Sequence, residues 1–163
     1  MQIKNLVLPV FCSLALAWTG CKKEDIKTPT EQIIPGQGLV DLKIGDVAQK
    51  AIDKYGSTVP ARAVFNGQYV HYLKYSDQGV EVYCQETPLT TFDAQMKIKV
   101  FLFSKFFKGQ TGEKIGIGSQ KSAVKAAYGE PVFSSGGVEK YAIGINFFYD
   151  DAGETIEHIE VVQ

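Results

Sequence analysis

The sequence predicts an α+β fold: two halves, each a short helix on a small antiparallel meander, sharing one core. Three observations carry this expectation. A glycine-bounded helical run occurs twice at one spacing, from Gly45 to Gly56 and from Gly118 to Gly129. Each run is followed by stretches of alternating polarity broken by turn residues, the period-two signature of half-buried strands. Each half has only about 60 residues, too few to bury an adequate core alone, so the two are expected to pack together with sheets continuous or facing.

The first helical run, DVAQKAIDKY, has Val47, Ala48, Ala51 and Ile52 as its apolar residues. The second, SQKSAVKAAY, has Ala123, Val124, Ala126 and Ala127. Asp46 and Ser119 stand where an N-cap oxygen is wanted, Gly56 and Gly129 where a left-handed C-cap is wanted, and Pro131 prevents continuation. In the first half (39–108) the strand signals are ARAVFNGQYVHYLKY, a turn at 76–79, VEVYCQE and MKIKVFLF. In the second (109–163) they are GVEKYAIGINFFYD, a turn at 151–153 and TIEHIEVVQ. Strict alternation puts Met96, Ile98, Val100 and Leu102 on one face of MKIKVFLF and Lys97, Lys99, Phe101 and Phe103 on the other.

Ahead of these halves, Lys4 is followed by LVLPVFCSLALAW and then Thr19-Gly20-Cys21. A basic residue, an apolar run too short for a stable span, and small residues make a secretory signal over 1–20. Cysteine directly after Gly20 resembles the lipobox of bacterial lipoproteins, which implies acylation of Cys21 and a lipid-anchored, outer-membrane location. The KKED that follows is similar to the acid-containing signal of some surface lipoproteins of Bacteroidetes; the leaflet stays open. From 21 to 38 the chain is polar with Pro29, Pro35, Gly36 and Gly38, which predicts a flexible tether.

Without residues 1–20, Cys84 is the one cysteine besides Cys21, so no intramolecular disulfide is available to the body of the chain. Its place in VEVYCQE predicts a buried, structural thiol. The same portion has 16 basic and 18 acidic groups, which argues against nucleic acid as a partner. Charge is unevenly spread: 96–125 holds seven lysines against Glu113 alone, and 150–160 holds five acids and no base.

Gly118, Ser119, Tyr128, Gly129 and Pro131 carry a Gly-x-helix-Tyr-Gly-x-Pro pattern that resembles the BamE-like (SmpA/OmlA) family of envelope lipoproteins. The resemblance covers 115–163 well and 43–104 loosely, since Tyr55-Gly56-Ser57-Thr58 lacks the proline. Two such units in tandem are similar to the β-lactamase inhibitory protein, a secreted binder presenting a concave sheet, though that relative uses disulfides.

Catalytic patterns are incomplete. Gly116-Ile-Gly118 meets Lys121 where a dinucleotide fingerprint wants its third glycine, and no Gly-Lys-Ser/Thr occurs. Ser122-Ala-Val-Lys125 matches S-x-x-K without the accompanying motifs. His71 and His158 lack ligand spacing, and Asp150, Asp151 and Glu154 read as a hairpin turn. No metal, cofactor or enzymatic activity is expected. The remaining functional surface is aromatic: Tyr69, Tyr72, Tyr75, Tyr141, Phe147 and Tyr149 are the candidate partner-binding anchors, with Tyr83 and Phe148 also among the aromatic residues of the hairpin strands. The expectation is a non-catalytic envelope lipoprotein that binds another envelope or extracellular protein or acts structurally. The alternatives are an inhibitor of a hydrolase and a small-molecule binder.

Overall fold

The computed structural model describes residues 31–65, 68–85, 87–88 and 90–163. The expected signal over 1–20 and Cys21 lie outside these residues. In chain order the elements are β1 (Gln32–Ile34), β2 (Gly38–Leu39), α1 (Ala48–Tyr55), β3 (Ala61–Phe65), β4 (Gln68–Tyr75), β5 (Val80–Cys84), β6 (Ile98–Phe103), β7 (Gln110–Thr111), α2 (Lys121–Tyr128), β8 (Phe133–Ser135), β9 (Val138–Tyr141), β10 (Ile145–Tyr149) and β11 (Ile156–Val161).

The α+β class is corrected. Among the described residues strands hold 43% and helix 12%, so the fold there is antiparallel β with two short helices rather than a pair of helix-plus-meander units. One sheet of eight strands, ordered β3-β4-β5-β6-β11-β10-β9-β8, runs through both parts of the chain. Its seam is the β6–β11 pair, where Phe103 faces Ile159 and Phe101 faces Val161.

Cross-strand rows explain why the sheet coheres. Leu73, Val82, Phe101, Val161, Ile145 and Tyr141 form one inward row across six strands. Every member of that row is buried, and Phe101 stacks on Phe103 with centroids 5.9 Å apart. Such paired apolar side chains are the unit of sheet stability. Among the described residues only the inner face is covered. Small Ala48 and Ala51 are buried and bring α1 close to the sheet. On α2, Val124 is buried and the Tyr128 ring sits 5.7 Å from both Tyr141 and Phe147.

Both helices begin one residue later than expected. Val47 and Gln120, in extended conformation, occupy the N-cap positions without a capping side chain. No cap is needed, because backbone carbonyls of neighbouring segments take the first amides: Ala48 N–H donates to Met96 O and Gln49 N–H to Ala94 O, each at 2.9 Å, and Lys121 N–H to Glu154 O at 2.8 Å. Asp46 and Ser119 instead close the preceding turns, accepting from the Lys43 amide at 2.9 Å and the Gly116 amide at 3.0 Å. Glycine ends both helices at positive φ, Gly56 at 94° and Gly129 at 76°, but their ψ values of 171° and −145° lie outside the left-handed helical region, so the expected left-handed cap is corrected.

The tether expected over 21–38 is corrected for residues 31–38. Strand β1 pairs antiparallel with β2 and parallel with β7, and Ile33 and Leu39 are buried. Gly36 N–H donates to Gly144 O at 3.1 Å, tying this small sheet to the large one. Ile33 and Leu39 are anchors set in a stretch otherwise rich in polar, Pro and Gly residues, a signal that composition averages away. At Gly38 (φ 111°) a Cβ would lie 2.5 Å from the Phe101 ring, so glycine is required there.

Candidate protein-binding face

The opposite face of the large sheet carries no covering element among the described residues. Its central row, read across six strands, is Lys74, Glu81, Leu102, Glu160, Asn146 and Lys140. Opposite charges lie toward each end and an apolar residue in the middle. Lys74 Nζ is 2.6 Å from Glu81 Oε1, and Asn146 Nδ2 donates to Glu160 Oε2 at 2.6 Å. Beside this row lie Tyr72, Tyr83 and Val100 on one side, and His158, Phe148 and Val138 on the other.

Two bulges set which side chains reach this face. Register shifts between Tyr83 and Cys84 leave Lys99 unpaired, and a shift between Phe148 and Tyr149 leaves Glu157 unpaired. Ile98 therefore joins Phe101 and Phe103 inside, while Val100 and Leu102 face out. The strict alternation expected for MKIKVFLF is corrected by that one extra residue.

The face is hollowed into a groove of about 960 Å³, floored by Ala63, Val70, Tyr83, Val100, Leu102 and Phe148. Lys99, Glu160 and His158 rim it. Tyr83 donates to Glu81 Oε2 at 2.8 Å, and burial together with that carboxylate raises the phenol well above its usual range. The same Glu81 holds the Lys74 ammonium above its ordinary value. Nδ1 of His158 is buried and meets no hydrogen-bond partner among the described residues, whereas the apolar floor offers area without hydrogen-bond demands. Half-buried aromatic and aliphatic side chains inside a charged rim are the anatomy of a docking surface.

Of the six aromatic anchors expected from the sequence, Tyr72 lies on this face. Tyr69 is half-buried with Arg62 4.8 Å from its ring centre. Tyr75, Tyr141, Phe147 and Tyr149 are core residues, at most 7% exposed, and are corrected as binding candidates. Tyr83, Val100, Leu102 and Phe148 were not selected from the sequence; the alternation of VEVYC and INFFY allowed either parity.

Elsewhere the polar chemistry fastens the helices. Buried Glu139 accepts from Tyr149 OH at 2.7 Å and Tyr141 OH at 3.3 Å and pairs with Lys121 Nζ at 3.2 Å. Burial works against its charge, but those three donors prevail and hold the carboxyl below its usual range. Under α1, Glu31 accepts from Tyr55 OH at 3.0 Å and pairs with Lys54 at 2.8 Å. Lys125 of the S-x-x-K run pairs with Glu130 at 2.7 Å on an exposed helix face. Asp150 Oδ1 closes its turn by accepting from the Glu154 and Thr155 amides. His71 is buried, its ring 6.2 Å from Phe92. No cluster of three or more His, Cys, Asp or Glu suited to a metal occurs among the described residues.

Comparison with protein-family models, curated proteins and solved structures finds no match to this chain, so the likeness to BamE-like lipoproteins rests on Gly118, Ser119, Tyr128, Gly129 and Pro131 alone.

Proposed function

We propose that this chain is a non-catalytic envelope lipoprotein, anchored through Cys21, that binds another envelope protein on the open face of its eight-stranded sheet. The observation that supports this most is the groove around Leu102, with Tyr83, Val100 and Phe148 beside it, the Lys74–Glu81 ion pair toward one end and the Asn146–Glu160 hydrogen bond toward the other. Burying an apolar floor of this kind supplies association energy, while Lys74, Glu81, Glu160 and Lys140 set orientation. Wild-type protein and the variants Leu102→Asp and Tyr83→Ala are used to retrieve partners from envelope extract. The expected result is one partner held by the wild type, lost with both variants and retained by the edge control Phe133→Ala. A partner that survives both outer-face variants overturns the assignment of this face. Labelled palmitate tests the anchor separately: incorporation that disappears with Cys21→Ser is expected, and an unlabelled wild type removes it.

A further inference from the structure

We infer that the turn at 104–108 is a second membrane contact, touching an anionic phospholipid surface beside the lipid anchor; this rests on the proposed acylation of Cys21. The turn is built in advance. Ser104 O accepts from the Phe107 amide at 2.8 Å, closing a four-residue turn with Lys105 and Phe106 at its tip. Ser104 N–H donates to Gly79 O at 2.8 Å, and the buried Phe107 ring stacks 4.3 Å from Phe103. Phe107 thus pins the turn, while its neighbour Phe106 is 51% exposed.

The chemistry of the tip matches a lipid interface. Lys105 Nζ stands 4.9 Å from the centre of the Phe106 ring, and Lys108 follows, also exposed. Lys105 and Lys108 are the cations of the tip; the acids beside them are Asp77 in the adjoining turn and Glu157 across the neighbouring cavity, while Glu81 in that cavity is paired with Lys74. An aromatic ring between two ammonium groups suits the boundary of an anionic bilayer, the ring entering the headgroup layer and the cations meeting phosphates.

Chain geometry places this tip toward the membrane. Glu31 O accepts from the Gln110 amide at 3.1 Å, and a Cβ on Gly109 would be 2.4 Å from that same carbonyl. Phe106 is three residues from Gly109, hence at most about 11 Å away. Ten residues separate Cys21 from Glu31, a reach of at most about 36 Å. Glu31, ten residues after Cys21, therefore lies close to the Lys105–Phe106 tip, so an anchor at Cys21 leaves this tip within reach of the same membrane. A second contact also suits the energetics of lipid anchoring, where a single weak signal holds only reversibly.

The test uses the full chain with Cys21→Ser and Trp18→Phe, which removes the acylation site and the native tryptophan. Phe106→Trp then supplies a probe, mixed with phosphatidylglycerol vesicles brominated in their acyl chains. The expected result is loss of emission at position 106. That loss falls by about half or more with Lys105→Glu and Lys108→Glu, or with phosphatidylcholine vesicles. The same probe placed by Val132→Trp, at the β8 edge, keeps its emission. No loss at 106, equal loss at 106 and 132, or a loss indifferent to the two lysines overturns the contact. Palmitate labelling of the wild-type chain together with no quenching at 106 in the Cys21→Ser chain removes the loop contact alone, and an unlabelled wild type removes the anchor.

Discussion

Tyr72 and Tyr83 stack across β4 and β5, their ring centroids 4.9 Å apart and their planes within 16°. They are directly opposed in the ladder and stand on the open face, at the edge of the Leu102 groove. An offset aromatic pair contributes about 0.5–1.5 kcal/mol beyond burial. Tyr83→Ala is therefore expected to cost about 1 kcal/mol of stability in denaturant titration. Its effect on partner affinity, read by titration calorimetry, is expected to be larger, about 2 kcal/mol or more, as for a central anchor. Equal affinity for wild type and variant would move the binding site elsewhere.

Glu139 makes acid a specific threat to the α2 end of the sheet. Its folded-state pKa lies below the usual 4.5, so folding favours the carboxylate. That contribution is complete above the ordinary carboxylate range and disappears as pH falls through the lowered folded value. Glu139→Gln is expected to lose about 1–2 kcal/mol at neutral pH. The gap from wild type should shrink as pH drops below about 4.5. Thermal unfolding at several pH values measures it, and a gap that widens in acid would contradict the assignment.

Cys84 is expected to be inert in the native state. Its side chain is buried beneath the groove, and burial pushes the thiol up to about 12. The thiolate is the reactive form, so a chromogenic disulfide reagent should react only as fast as the chain opens. Under denaturant, with Cys21 replaced by Ser, one further thiol should appear at once. Rapid native reaction would show the groove floor to be open to reagents.

Phe101 is expected to be among the costliest single truncations. It is fully buried at the β6–β11 seam, stacked on Phe103 and packed against Gly38. Phe101→Ala should lose about 3–5 kcal/mol, whereas Val132→Ala, at an exposed edge position, should stay within about 0.5 kcal/mol. Chemical denaturation of the two variants side by side decides this.

What the sequence by itself determined was local. Gly56 and Gly129 end helices because only glycine adopts positive φ freely, a property of one residue that needs no neighbour. The turn residues at 76–79 and 151–153, the period-two stretches between them and the burial of Cys84 were legible for the same reason. Tertiary structure decided everything that depends on a distant partner. Asp46 and Ser119 lost the cap positions because carbonyls of Met96, Ala94 and Glu154 reach the first helical amides. The 31–38 stretch is ordered because Ile33 finds a place in the core beside β7, some 80 residues away in sequence. Parity on the outer face turned on Lys99 and Glu157, single bulged residues whose identity is set by how β5 and β10 pair with their neighbours. The fold class followed from the β6–β11 seam, which joins strands far apart in the chain into one antiparallel sheet. Alternation along one strand carries no record of the strand beside it, and so the open face with Tyr83, Leu102 and Phe148 emerged only once the ladder was assembled.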